Sequence, residues 1–281
     1  MSYPKFNKND FLFGLEFEFY LKNLDLKEKF IESINHYFNV EVLDLTHTQY
    51  SENDEKWILS VETTMPILSS NKVGMEITTP ILEYNQIEDT IGFMLELIKL
   101  YGFTNDSCGF HFHLSTDNHH SFLFPDIIKF LLFLEADGTF KDYHIRNNYV
   151  YNIMDVLKTT NITIFRRWYK CLGKCYNIYF KDLEQKHIEI RILGSENYEH
   201  DERIFEFIEN ILYNFYLSMT RKEQEKYDII SQYFKKINQN QTLLYQEDLE
   251  KLAKENSVSF EKKHEYSKRT RIMNLEGRLP K

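Results

Sequence analysis

Glu16 and Glu18 sit two residues apart in the stretch GLEFEFY, between Leu15, Phe17 and Phe19. At strand spacing, alternate residues share a face, so the two carboxylates point together and the apolar side chains point the other way. Three more stretches have the same asymmetry. In VGMEITT, Val73, Met75 and Ile77 oppose Glu76; in CGFHFHLS, Phe110, Phe112 and Leu114 oppose His111 and His113. In HIEIRIL, Ile188, Ile190 and Ile192 oppose His187, Glu189 and Arg191.

Any one such strand is the ordinary pattern of an antiparallel sheet with one face in water. The four together differ in what the polar face carries, which is carboxylate and imidazole with little lysine. Carboxylates held side by side repel unless a cation lies between them. An oxygen-rich set of this kind suits a hard divalent ion, Mg²⁺ or Mn²⁺. Arg191 shares the face of Glu189 and suits phosphate, whose oxygens a metal and a guanidinium can hold together. No GxxxxGK[ST] loop or GxGxxG turn is present, so neither a P-loop nor a Rossmann site is supported.

These groups need elements to hold them. Residues 11–21 read as a strand, with Phe11, Phe13, Leu15, Phe17 and Phe19 on one face. A helix follows at 26–38, with Phe30, Ile34, Tyr37 and Phe38 inward. Residues 42–70 read as short strands and a loop around Trp57. A strand at 73–79 stops at Pro80. Residues 86–101 form an amphipathic helix on Ile87, Ile91, Met94, Leu95 and Ile98, with Gly102 placed for a left-handed cap. Strand returns at 108–115, and Pro125 opens a helix to about Glu135. Residues 140–172 fit no single pattern. Strands at 174–181 and 186–193 join through Asp182–Gln185. Helices follow at 201–219, with Ile204, Phe205, Ile208, Ile211, Leu212 and Phe215 on one side, and at 221–237 and 246–255.

The chain has 281 residues, 42% hydrophobic, which is enough for a sizeable core. Strands with interleaved helices and then a helical tail predict one α/β or α+β fold, with 201–281 as a helical region packed on the domain of 1–200. A net charge of −9 argues against a general nucleic-acid binder. The run Lys262, Lys263, Lys268, Arg269, Arg271, Arg278 and Lys281 reads as a solvated basic tail. Cys108, Cys171 and Cys175 form no disulfide framework and fit free thiols in a reducing cytosol. Cys108 reads as a small buried residue rather than a nucleophile. No signal peptide and no apolar run long enough to span a membrane is expected, so the predicted location is cytoplasmic. The helical tail either completes the core or forms a homo-oligomer contact.

The four stretches resemble, in order, the motifs of the amidoligase family, carboxylate–amine ligases that share the catalytic fold of glutamine synthetase and γ-glutamyl–cysteine ligase. GLEFEF is similar to that family's G-[VL]-E-x-E-F strand, and GMEITTPIL to its E-I-x-[ST]-P-[IL]-L segment. CGFHFHLS is similar to its C-G-x-H-x-H-[VL] strand, and HIEIRILGS to its x-[IV]-E-x-R-[LI]-[FL] strand. The resemblance implies a curved, mostly antiparallel sheet with helices on its outer face. It also implies that Glu16, Glu18, Glu76, His113 and Glu189 bind two or more Mg²⁺ and that Arg191 contacts ATP phosphate. Glu62, after Trp57, is a further ligand candidate, and His111 either ligates or orients a ligand. Where the family shows Arg-Tyr followed by Asn, this chain has KCYNIYF, with Lys174 and a displaced Asn177. Arg166 or Arg167 could supply the missing charge.

The activity implied is ATP-dependent joining of a carboxylate and an amine through an acyl phosphate, with Glu189 and Arg191 at the reacting phosphate. The partners would be small-molecule or peptide acids and amines. Two other readings stand beside it. The pair His111-x-His113 also opens some zinc hydrolase sites, with His187 in matching strand context. A catalytically silent member would bind nucleotide or a protein partner only.

Overall fold

The computed structural model describes residues 7–46, 55–69, 71–116, 126–136, 150–159, 174, 176–180 and 187–220. The architecture is mixed α/β, with one large, open, mostly antiparallel sheet. Strand β1 (Phe11–Leu21) is its centre. On one side lie β4 (Gly74–Thr78), β3 (Ile58–Val61) and β2 (Leu43–Asp44); on the other lie β7 (Gly109–Thr116), β9 (Ile188–Gly194) and β8 (Ile178–Tyr179). Among the described strand pairs, only β2–β3 is parallel. Short strands β5 (Leu82–Glu83) and β6 (Gly102–Phe103) pair with the two ends of β1.

Helix α2 (Tyr84–Tyr101) joins β5 to β6. Its 18 residues span ~27 Å, close to the ~30 Å between Leu12 and Leu21 along β1. The helix is therefore pinned along the strand at both ends, and Ile87, Ile91, Met94, Leu95 and Ile98 are buried as predicted. Gly102 makes no left-handed cap. Its backbone is extended, and it is glycine because a Cβ there would lie 2.7 Å from Tyr20 O. A side chain would block the turn from helix into β6.

Phe11, Phe13, Leu15, Phe17 and Phe19 are all buried and meet the helices. Phe19 stacks on Phe30 of α1 (Lys27–Phe38), Phe13 meets Tyr84 of α2, and Phe11 packs edge-on against Phe215 of α5 (Ile204–Thr220). Phe215 in turn meets Phe130 of α3 (Ile127–Ala136). Burying one large aromatic ring contributes about 1.5–3 kcal/mol, so this face holds the helical layer in place and leaves the other face for Glu16 and Glu18.

Some expected positions move. Tyr37 is 49% exposed rather than inward; its hydroxyl donates to Asp89 and its ring stacks on Phe93. On α5 the core position falls to Phe207, edge-on to Phe112, while Phe205 is half-buried against Tyr84. Of the described residues within 174–181, Ile178–Tyr179 pair as strand, and a short helix α4 (Ile153–Thr159) appears where the pattern was ambiguous. Pro125, Asp182–Gln185, 221–237, 246–255 and the basic tail lie outside the described residues.

Strand β9 contains a bulge. Phe112 pairs with Ile190 but Phe110 pairs with Leu193, so two residues of β9 oppose His111. The extra residue shifts the alternation, and Leu193 is the buried residue opposite Phe110. After the bulge, Gly194 has φ +135°, and a Cβ there would lie 2.5 Å from Cys108 O.

Candidate metal and phosphate site

The register of the sheet assembles the polar face. Glu18 pairs with Glu76 across β1–β4, and Glu76 pairs with Ser60 of β3. Glu16 pairs with His111, and Gly14 with His113, across β1–β7. His113 pairs with Glu189, and Glu189 with Tyr179. Directly opposed residues point to one face, so four adjoining strands deliver their acids and imidazoles to one place.

Three groups have ligand atoms within 4.8 Å of one another: Glu16 with Glu76 and His111, Glu16 with His113 and Glu189, and Glu18 with Glu62 and Glu76. Glu16 and Glu76 each belong to two groups, so the three positions adjoin. His111 Nδ1 is 3.0 Å from one oxygen of Glu16, and His113 Nε2 is 2.9 Å from the other. His111 Nε2 lies 3.4 Å from Glu18, whose second oxygen accepts from Gly109 N at 2.6 Å. Glu62 accepts from Thr64 N at 2.7 Å. Glu18, His111 and Glu189 are buried.

Burial disfavours charge on Glu16, yet hydrogen bonds from His111 and His113 hold its carboxyl well below the usual range. Glu76 behaves oppositely. Burial, then the charges of Glu16, Glu18 and Glu62, push it up to about 9 against the pull of Arg191. The cluster has more carboxylate than its own cations neutralise, which a divalent ion would correct. Burial also opposes charge on Glu189, but Arg191 and then His113 keep its carboxyl below the ordinary value. For His113, burial is outweighed by its hydrogen bond to Glu16, and its pKa rises.

Arg191 pairs with Glu189 Oε1, and Lys174 Nζ lies 3.7 Å from Glu189 Oε2. Among the described residues, Arg191 Nε is buried without a hydrogen-bond partner. A buried, unpartnered guanidinium N–H is costly unless something accepts from it. The donor set fits Mg²⁺ or Mn²⁺, and the free N–H beside it fits a phosphate oxygen.

A family model described as "Putative amidoligase enzyme" matches residues 10–208, well over half of the chain. The chain belongs to the amidoligase family. That description supports a ligase-type, amide-bond-forming function, and the match includes every described site residue. No curated protein and no solved structure matches the chain.

In this amidoligase, all seven acidic and imidazole residues singled out from the sequence stand together: Glu16, Glu18, Glu62, Glu76, His111, His113 and Glu189. Arg191 and Lys174 flank Glu189; Arg166 and Arg167 lie outside the described residues. Asn177 has a structural task. Its Oδ1 accepts from Ile153 N at 3.0 Å, and its carbonyl accepts from Arg191 N at 2.8 Å. Cys108 is fully buried in the core, as its reading as a small apolar residue implies. His187 was missed as a site residue. Its Nε2 lies 2.9 Å from His113 Nδ1. The signal was present, since His187 alternates with Glu189 and Arg191 on one face.

No described helix is long and apolar enough to cross a membrane.

Proposed function

We propose that this amidoligase is an ATP- and Mg²⁺-dependent carboxylate–amine ligase that works through an acyl phosphate. The observation that carries the reading is the adjacency of an over-acidic cluster to an arginine whose buried Nε–H has no partner among the described residues. Carboxylates alone would suit a bare cation site. Arginine alone would suit an anion. Together they suit a metal-bound phosphate.

Glu16, Glu18, Glu62, Glu76, His113 and Glu189 would hold Mg²⁺, with His111 fixing Glu16 and Glu18. Bound there, Mg²⁺ would neutralise phosphate oxygens and shield the acceptor carboxylate from the acidic face. Arg191 would hold the transferring phosphoryl group through its free N–H, and Lys174, at the exposed margin, would reach the outer phosphates. The acceptor carboxylate attacks the γ-phosphorus and ADP leaves. The amine then attacks the acyl carbon, loses a proton, and inorganic phosphate departs. The partners are an acid and an amine, small or peptidic, with the reaction placed in the cytoplasm.

His187 lies against His113 and belongs to none of the three ligand groups, so the oxygen-rich set favours this reading over a zinc hydrolase. Hydroxylamine tests the proposal without knowledge of the natural amine. Offered with ATP, Mg²⁺ and a panel of carboxylic acids, the enzyme should form a hydroxamate and ADP in equal amounts. Hydroxamate formed without ATP, or ADP release indifferent to every acid offered, would set the acyl-phosphate route aside.

A further inference from the structure

We propose that His187 is a positioning residue that fixes the imidazole of His113 for metal binding, by accepting the Nδ1 proton of His113 on its own Nε2. The inference rests on the metal reading above.

The geometry separates the two histidines of β7. Both nitrogens of His111 face carboxylates, Glu16 at 3.0 Å and Glu18 at 3.4 Å. His113 has one nitrogen in the cluster and one turned away: Nε2 is 2.9 Å from Glu16, and Nδ1 is 2.9 Å from His187 Nε2. The His113 and His187 rings are tilted by 31° with centroids 5.1 Å apart.

A neutral imidazole has one proton and one lone pair. For Nε2 of His113 to bind a metal beside Glu16, its lone pair must be free, so the proton must sit on Nδ1. That proton points at His187 Nε2, which must then be unprotonated, with the proton of His187 on its own Nδ1. Reversing the pair, with His187 Nε2–H donating to His113 Nδ1, forces the His113 proton onto Nε2 and closes the ligand position. The contact therefore sets which nitrogen of His113 is available. Residues that hold the second nitrogen of a ligating histidine set ring orientation and basicity. The sequence places His187 for this task, because it lies two residues before Glu189 on the same face, next to the strand that pairs Glu189 with His113.

The test compares His187→Leu, His187→Gln and His113→Ala, with Mn²⁺ affinity read by calorimetry in the absence of nucleotide. His187→Leu should weaken Mn²⁺ binding roughly 10- to 100-fold, while His187→Gln, whose side-chain oxygen can accept the same proton, should recover most of it. A purely structural role would lower thermal stability without this split. If His113→Ala weakens Mn²⁺ binding but His187→Leu does not, the positioning role is overturned and the metal reading stands. If the wild type itself fails to bind Mn²⁺, the metal reading falls and takes this inference with it. Nitrogen-15 spectra of the histidines in the Mg²⁺-loaded wild type give a check that needs no variant. They should show a proton on Nδ1 of both His113 and His187, and a proton on His187 Nε2 facing His113 would contradict the proposal.

Discussion

Glu18 and Glu76 are directly opposed across the β1–β4 ladder, two carboxylates where a stable sheet would place a neutral or opposite-charge pair. The sheet keeps this arrangement without a metal by leaving Glu76 protonated up to about 9.

The first prediction concerns pH and stability. An unfolded glutamate loses its proton near 4.5, whereas folded Glu76 retains it to about 9. The stability tied to Glu76 is therefore full below about pH 4.5 and lost as pH rises to about 9. Glu16 and Glu189 act in the opposite sense, since their lowered values give stability that is lost as pH falls. In metal-free protein at pH 8, Glu76→Gln should raise the Tm by about 2–4 °C, equivalent to about 1 kcal/mol. A lowered Tm in thermal scans at that pH would show that Glu76 is not repelled by its neighbours.

Metal binding should release protons. A ligating carboxylate must be ionised, so Mg²⁺ must displace the proton of Glu76 at neutral pH. Calorimetry of Mg²⁺ binding in buffers of different ionisation enthalpy should show proton release at pH 7 that disappears above about pH 9. Binding heats that do not depend on the buffer would contradict the coupling.

The Arg191–Glu189 pair should be asymmetric under mutation. Arg191→Met leaves Glu189 buried beside Glu16 with His113 and the more distant Lys174 as weaker partners, and removing one partner of a buried pair costs about 3–5 kcal/mol. Glu189→Gln added to Arg191→Met should recover much of that loss. Chemical denaturation of the two single variants and the double variant measures the coupling, and strictly additive losses would argue against a buried pair.

Asn177→Ala should act on stability and leave ligand response intact. It leaves Ile153 N without its acceptor, at a cost of about 1–3 kcal/mol. A variant of unchanged stability that loses nucleotide binding would mean that Asn177 contacts ligand instead.

Most of the site was legible because strand alternation is a strict rule. Once Phe17 and Ile77 are inward, Glu16, Glu18 and Glu76 have one direction left. What alternation cannot give is pairing between strands distant in sequence. The meeting of β7 with β9 brings His187 to His113 across 74 residues of sequence, and the alternation that puts His187 on the face of Glu189 does not say which strand it meets. The bulge opposite His111 was likewise invisible, since HIEIRIL alternates cleanly and the extra residue shows only against Phe110 and Phe112. Gly102 was misplaced because a glycine after a helix usually serves a cap, whereas here it avoids the carbonyl of Tyr20.

The central claim is a metal–nucleotide platform, and thermal unfolding with Mg²⁺ and a non-hydrolysable ATP analogue tests it most directly. Glu76→Gln is the informative control, since it should fold at least as well as the wild type without metal. At 100 times its dissociation constant, the bound ligand should stabilise the wild type by about 2.7 kcal/mol. The account predicts a shift in the wild type that is greatest with both ligands together and is largely lost in Glu76→Gln. No shift with Mg²⁺ and nucleotide, together with clear stabilisation by Zn²⁺ alone, would contradict it.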